Sequence, residues 1–147
     1  MTVQVRRAAA EEVRPLRNLV LRGVTPGPEA AYDLWPTTVH VGAFDDGECV
    51  GTVSLFPQPW ELDPPEPGAW QLRGMAVARE RRGHGIGEQL LGAAVAIVRA
   101  ADAPLLWADG RSTALTFYQR AGWEPVGEEF IHTESGVAHK KITLRLR

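Results

Sequence analysis

A short glycine-rich segment contains the residues whose types and spacing best indicate a chemical role. Gly83, Gly85 and Gly87 alternate directly before a segment with apolar residues at helical spacing. Backbone amides at a helix N-terminus lie at the positive end of the helix dipole and bind anions. Glycine leaves such a backbone accessible because it has no Cβ atom. The segment therefore predicts a site for a ligand that carries a diphosphate. Additional positive charge would come from Arg79, Arg81 and Arg82.

Two common phosphate-binding motifs do not fit this segment. The Rossmann fingerprint G-x-G-x-x-G requires a glycine where this chain has Glu88, and the Gly-Lys-Ser/Thr of a Walker loop does not occur in the sequence. The pattern that remains is R-x-x-G-x-G, from Arg82 through Gly85 and Gly87. A nucleotide-binding α/β domain is therefore the least favoured of the functions considered.

Composition and charge are those of an ordinary globular protein. The chain has 147 residues, of which 44% are hydrophobic and 23% are charged, and this is typical of one domain spanning residues 1–147. The net charge of −2 gives no reason to expect nucleic-acid binding. It favours a cationic ligand only slightly. Cys49 is the only cysteine, so no intrachain disulfide is expected. The sequence shows neither a signal peptide nor an apolar run long enough to span a membrane, which predicts a cytoplasmic protein without a membrane partner.

Hydrophobic periodicity divides the chain into alternating strands and helices. The order is β-α-ββ-β-α-β-α-ββ, which predicts an α/β fold with one mixed sheet of about seven strands, flanked by about three to four helices on its two faces. The first helix would carry Val13, Leu16, Leu19 and Val20 on its apolar face. The predicted strands are residues 2–6, 39–43, 49–56, 69–77, 105–108, 124–132 and 137–146, the last two joined by a turn at Glu134, Ser135 and Gly136.

Single residues set the expected boundaries of these elements. Pro15 fits the first helix only if it lies within the first turn. Asp46 and Gly47 belong to the turn of a predicted hairpin. Ser112 could cap the last helix, which would end at Gly122.

Two irregular segments could contribute to a substrate site. Residues 23–36 contain three prolines and could cover a cleft or only connect elements. Residues 57–67 form a stiff loop because they contain five prolines. Trp35 and Trp60 lie in these segments and could line an acceptor pocket.

The glycine segment and its surroundings resemble the coenzyme A site of the GNAT superfamily of N-acyltransferases. The R-x-x-G-x-G pattern is similar to the pyrophosphate loop of that family, and LRGMAV (72–77) is similar to its fourth strand. The segment ALTFYQRAGW (114–123) resembles the family signature A-x-x-F-Y-x-x-x-G-F, with Trp123 in place of phenylalanine. The resemblance covers residues 39–147 best and implies a GNAT-like single domain that uses acetyl-CoA as co-substrate and no metal.

The resemblance also implies roles for particular residues. Tyr118 would lie near the thioester sulfur as general acid, although a tyrosine at helical spacing could also only pack. Main-chain groups that would pair with the pantetheine arm, as a further strand would, belong to Met75, Ala76 and Val77. Backbone amides that would hold the pyrophosphate belong to Arg82, Gly83, His84, Gly85, Ile86, Gly87 and Glu88.

One position departs from the family pattern. Many members carry asparagine three residues before the alanine of the signature, where this chain has Arg111. Some branches instead carry Asn-Ala-Arg, which would align with Asp109, Gly110 and Arg111 and keep the arginine. The contact made from this position is left open.

Acyl transfer to an amine requires the amine to lose a proton. A lysine-like amine with a pKa near 10.4 is about 0.04% neutral at pH 7, a shortfall of roughly 4–5 kcal/mol that a general base or water relay must cover. A main-chain N–H near Val77 could stabilise the oxyanion. His84 lies within the loop and would line the ligand rather than act as base. Spacing does not select the base among His40, Glu61, Glu66, Asp109, Glu128, His132 and His139.

The sequence predicts an acetyl-CoA-dependent N-acetyltransferase that acts on a primary amine of a small molecule or a peptide. The alternative is an acyl-CoA-binding module without turnover, and Arg111 is the reason to consider it. The closing strands could pair across a homodimer. The acceptor amine is not identified, since enzymes of this fold act on unrelated amines.

Overall fold

The computed structural model of the protein describes residues 2–133 and 135–147, which form a single α/β domain around one mixed sheet. The seven strands are ordered β1-β2-β3-β4-β5-β7-β6. All neighbouring strands are antiparallel except β4 and β5, which are parallel. The predicted fold class is confirmed. The strands are β1 (Gln4–Ala8), β2 (Val39–Asp45), β3 (Glu48–Pro57), β4 (Trp70–Val77), β5 (Leu105–Arg111), β6 (Glu124–Ile131) and β7 (Ala138–Arg145).

Three α-helices cover the two faces of the sheet. They are α1 (Ala10–Arg22), α2 (Ile86–Ala100) and α3 (Leu115–Arg120). A Cβ atom built on Gly42 of β2 would approach Val13 of α1, whereas one built on Gly51 of β3 would meet Leu90 of α2. Because Gly51 lies opposite Ala43, the neighbour of Gly42, these contacts place α1 and α2 on opposite faces.

The β2–β3 hairpin forms where its turn residues predict it. Asp46 and Gly47 have φ angles of 50° and 82°, as a two-residue turn between right-twisted strands requires. The predicted β6–β7 turn is described only at Ser135 and Gly136, because Glu134 lies outside the described residues.

The first helix differs from its prediction in two respects. It begins at Ala10, so Pro15 lies in the second turn rather than the first. Leu19 was expected on the apolar face but is 51% exposed, while Arg17 and Asn18 are buried in its place. Hydrogen bonds determine which side of the helix is buried. Asn18 donates to the carbonyls of Pro26 and Pro28 at 2.7 and 2.9 Å, so a polar stripe of the helix faces residues 23–35.

The expected cap of α3 is also wrong. Ser112 begins a 3₁₀ turn, Ser112–Ala114, and the N-cap of α3 is Ala114. The Ser112 hydroxyl instead donates to the Glu129 carboxylate at 2.6 Å. Gly122 does follow the helix, with φ 94°, as predicted.

No helix in the part of the chain that the structure describes has the length and apolar character needed to cross a bilayer.

Candidate active site

The two parallel strands at the centre of the sheet separate after two residue pairs. Trp70 lies opposite Leu106 and Gln71 opposite Trp107, and no later residues of β4 and β5 pair. Both strands nevertheless continue, β4 to Val77 and β5 to Arg111. The separation therefore leaves the β5-facing edge of β4 open over its second half.

A bulge in β4 coincides with this separation. Gly74 and Met75 together lie opposite the single residue Val53 of β3, since the pairing shifts by one between Thr52 and Ser54. Gly74 has φ 66°, and a Cβ there would lie 2.8 Å from the Tyr32 hydroxyl. Bulges increase the local twist of a strand. The bulge thus turns β4 away from β5 at the point where the gap opens.

The glycine segment forms the predicted loop at the N-terminus of α2. Gly83 and Gly85 have φ angles of 82° and 80°, which glycine adopts without strain, and Gly85 is the N-cap of the helix. The amides of Gly85, Ile86, Gly87 and Glu88 donate to no acceptor among the described residues. N–H groups without an acceptor at a helix N-terminus are an arrangement that can bind an anion.

The third glycine of the segment also permits close packing of two helices. A Cβ on Gly87 would lie 3.1 Å from the Phe117 ring, so this glycine allows α3 to approach α2 closely. A groove of about 490 Å³ lies between the two helices, lined by Glu88, Leu91 and Trp123 among others. Phe117 lines both this groove and the larger cavity described below, which makes the two spaces neighbours.

The arginines beside the loop divide into two kinds. Arg81 forms an ion pair with Asp45 of the β2–β3 hairpin, which fixes the loop against the sheet. Arg79 and Arg82 are exposed and remain available as positive charge at the loop. The charge of Arg81 is thus paired within the protein, and Arg79 and Arg82 are the exposed positive charges beside the loop.

A cavity of about 930 Å³ occupies the gap between β4 and β5. Its walls come from five parts of the chain: the bulge of β4, the end of β5, α3, the β6–β7 region, and the polar stripe of α1 with the segment that follows it. Met75 lies in the wall, whereas Ala76 and Val77 do not. Other lining residues include Arg17, Tyr32, Asp109, Arg111, Phe117, Tyr118, His132 and His139.

Tyr118 lies on the cavity wall with 5% of its surface exposed. Its ring packs edge-on against Phe117 and Trp123, with centroid distances of 5.1 and 5.3 Å. Burial raises the pKa of Tyr118 well above its ordinary value. The hydroxyl is therefore protonated throughout the neutral range and can donate a proton or a hydrogen bond into the cavity.

Two histidines of the β6–β7 region lie on the same wall. The His139 and His132 rings are 4.7 Å apart, and His139 also stacks on Phe130. Nδ1 of His139 is 2.8 Å from the Val137 carbonyl oxygen, so Nδ1 carries the proton and donates to it. In the neutral imidazole this bond leaves Nε2 as the proton acceptor.

The remaining candidates for the general base either lie outside the cavity or are already paired with a cation. Asp109 lines the cavity but accepts a hydrogen bond from Lys141 at 2.9 Å. His40 is buried in the sheet, where Nδ1 contacts the Ser54 hydroxyl at 2.7 Å. Glu66 pairs with Arg145 at the opposite end of the sheet. Glu61 and Glu128 are exposed and do not line the cavity.

The cavity wall formed by α1 and residues 29–32 contains residues that sequence reasoning missed. Arg17 donates two hydrogen bonds to Asp33, at 2.8 and 2.6 Å, and both side chains are almost fully buried. Although burial alone raises the pKa of Asp33, the bonds from Arg17 and the Ala30 amide outweigh it and hold that pKa below its usual value. Arg17 also lies over the Tyr32 ring. Residues 23–35 therefore cover the cleft rather than only connect elements.

The two loop tryptophans do not line the cavity, contrary to prediction. Trp60 is 6% exposed and packs against Trp107 in a separate apolar cluster with Ala69 and Leu105. Trp35 packs edge-on against Phe56 with a centroid distance of 5.0 Å. Both tryptophans stabilise the sheet rather than a ligand.

Comparison with protein families decides what this arrangement is. The family described as "Acetyltransferase (GNAT) family" matches residues 10–123. The chain belongs to the GNAT family. Comparison with curated proteins gives no significant match. The predicted resemblance is thus confirmed, and it extends to α1, which the sequence motifs marked less distinctly.

Solved structures with the GNAT fold cover nearly all of the chain. ElaA from Escherichia coli has a TM-score of 0.77 at 16% identity and covers 97% of this chain and 99% of its own. The acyl-homoserine lactone synthase BjaI, solved with SAM and isopentyl-CoA, has a TM-score of 0.77 at 19% identity, over 99% and 84% of the two chains. An aminoglycoside 6′-N-acetyltransferase in complex with coenzyme A has a TM-score of 0.72 at 15% identity, over 100% and 98%. These identities establish the shared fold, not a shared acceptor.

Proposed function

We propose that this GNAT protein transfers an acetyl group from acetyl-CoA to a primary amine. The observation that carries the proposal is the position of the unpaired amides of residues 85–88. They begin eight residues after the end of β4, the strand whose edge opens into the cavity. One ligand can thus place a diphosphate at the helix and a thioester in the gap. Two of the structural neighbours named above were solved with coenzyme A or an acyl-CoA.

The open edge of β4 suits an extended, amide-containing arm. Met75, Ala76 and Val77 have no partner strand on the side of β5, so their main-chain groups can pair with the pantetheine amides as a further strand would. The bulge at Gly74 and Met75 also leaves main-chain groups out of the ladder beside the cavity. An N–H there would stabilise the oxyanion that develops on the thioester carbonyl.

Tyr118 would serve as the general acid. Tyr118 lines the cavity and its hydroxyl is protonated. The amine adds to the thioester carbonyl to form the C–N bond, and the tetrahedral intermediate then collapses with cleavage of the C–S bond, so the departing thiolate requires a proton. Burial raises the pKa of Tyr118, which keeps the proton on the hydroxyl until the thiolate departs.

His139 would serve as the general base. Its Nδ1–H is fixed by the Val137 carbonyl, so Nε2 can take the proton that the amine loses on attack. Of the seven candidates named from the sequence, only His132, His139 and Asp109 line the cavity, and Asp109 is already paired with Lys141.

A free-thiol assay tests the proposal directly. Purified protein is mixed with acetyl-CoA and a panel of primary amines, and release of the CoA thiol is followed with a chromogenic thiol reagent. Cys49 is the only protein thiol, so a Cys49→Ser variant removes the background. Thiol release with at least one amine is expected. Thermal stabilisation by CoA without release from any amine would favour the binding module, and no stabilisation by CoA species would overturn both functions.

A further inference from the structure

Arg111 is the cavity residue whose chemistry the acyl-transfer mechanism does not use. It is the last residue of β5 and it lines the cavity half-buried. One of its guanidinium nitrogens donates to the Leu21 carbonyl of α1 at 3.3 Å. A guanidinium has five N–H donors in a planar fork. Among the described residues Arg111 has no ion-pair partner, so most of this fork faces the cavity without an anion.

The charges around Arg111 favour a negative ligand. The described acidic residues of the wall are Glu29 and Asp109, and each is already bound to a cation outside it, Arg14 and Lys141 respectively. Arg17 of the wall is likewise already bound, to Asp33. An acceptor with only positive charge would therefore enter beside the Arg111 guanidinium without meeting a carboxylate of the described wall that is free of a cation.

Arg111 also lies beside the residue proposed as base. Arg111 and His139 are opposite one another in the β5–β7 ladder. Directly opposite residues of an antiparallel pair point to the same face, with Cβ atoms about 4.5–5.5 Å apart. An amine at His139 and an anionic group at Arg111 would therefore be only a few bonds apart in the same small molecule.

We infer that Arg111 forms an anion subsite and that the acceptor is a small primary amine with a carboxylate close to its nitrogen, as in an amino acid. The inference rests on the proposed function, because it names the acceptor class of the same cavity. The carboxylate accepts a bidentate pair of hydrogen bonds from the guanidinium, which orients the amine towards His139. Arg111 thus selects the acceptor.

Matched acceptor pairs test this subsite. Thiol release is compared for the common amino acids, their carboxamides, ethanolamine and O-phosphoethanolamine. The carboxamide amine has the lower pKa and the greater intrinsic reactivity at neutral pH, so faster transfer to the free acid must come from recognition of the carboxylate. In Arg111→Gln, which can still donate to the Leu21 carbonyl, KM for the acid should rise about 10–100-fold, the range expected for lost hydrogen bonds to a charged group. Arg111→Lys should recover part of the loss.

Controls separate this result from a general defect. The affinity for CoA and the thermal midpoint should be within about twofold and a few degrees of wild type, since one half-buried polar group is changed. Arg145→Gln is the matched control, because Arg145 pairs with Glu66 outside the cavity. Equal use of acids and carboxamides by wild type, or an equal loss for both in Arg111→Gln, would overturn the inference. Transfer to O-phosphoethanolamine but to no carboxylate would overturn the carboxylate assignment.

A binding measurement distinguishes failure of the subsite from failure of the proposed function. If no amine releases thiol, the proposed function fails, and calorimetry on CoA-loaded protein then judges the subsite. Binding of the acids but not of their carboxamides supports it, and binding of neither overturns it.

Discussion

The two halves of the cavity region are built from different kinds of groups. The half proposed for CoA consists of main-chain amides and an open strand edge, all within residues 70–88. The half proposed for the acceptor consists of side chains from α1, the end of β5 and the β6–β7 region, which are up to about 120 residues apart in the chain. A main-chain site binds what every acyl-CoA shares, whereas a side-chain site can change its ligand through single substitutions.

The largest effect is expected when a side chain is introduced into the half built from main-chain amides. Gly85→Val should raise the dissociation constant for CoA by about 1,000-fold, because it obstructs the N–H groups that would bind the diphosphate. Isothermal titration calorimetry measures this. Valine is also strained at φ 80°, so Gly127→Val is the control: Gly127 has φ 76°, its Cβ would meet nothing within 4 Å, and it lies in β6. Similar losses in both variants would show that strain alone is responsible.

The second-largest effect is expected on kcat when the proposed general acid, Tyr118, is changed at the junction of the two halves. Tyr118→Phe should lower kcat by roughly 10–1,000-fold with nearly unchanged CoA affinity, since only the hydroxyl is lost. Steady-state kinetics and calorimetry together give this comparison. Tyr32, the other tyrosine, also lines the cavity. A loss of kcat in Tyr32→Phe but not in Tyr118→Phe would reassign the acid to the acceptor half.

A smaller effect is expected from the base in the side-chain half. His139→Gln should lower kcat/KM by about 10–100-fold near neutral pH, because glutamine cannot take the proton that the amine loses. His40→Gln is the control, as His40 lies outside the cavity. An unchanged kcat/KM in His139→Gln together with a loss in His132→Gln would point to His132.

The smallest effect concerns stability rather than activity. Burial lowers the pKa of His40, against the attraction of Asp33. A lowered folded-state pKa means that the unfolded chain takes up the proton first as the pH falls, so stability is complete above the ordinary histidine pKa and is lost below it. In His40→Gln the melting temperature should therefore fall less between about pH 7 and pH 5. An unchanged slope would leave Asp33 and other carboxylates as the source of acid sensitivity.

The sequence predicted those parts of the molecule that depend on local pattern. Alternating apolar residues, the Asp46-Gly47 turn and the glycine spacing each act over a few residues, so all seven strands and the loop at α2 were predictable. Arg17, Asn18 and Asp33 were not, because their burial results from contacts between α1 and residues 26–33 that no periodicity encodes. Polar residues at positions where α1 should be apolar were the one available signal. Trp60 was misplaced for the same reason, as its partner Trp107 is 47 residues away.

The short ladder between β4 and β5 also determines where the spacing between neighbouring strands is least constrained by hydrogen bonds. Hydrogen bonds fix both distance and direction, whereas apolar contacts tolerate small changes in spacing. Across this boundary only the pairs at Trp70 and Gln71 supply a ladder, and the remaining contact is packing through the common apolar core that includes Leu72 and Leu106. The boundary therefore has the shortest ladder in the sheet. We expect that widening the cavity beyond Gln71 would break no hydrogen bond between these two strands, which would let the proposed site accept acyl chains of different thickness.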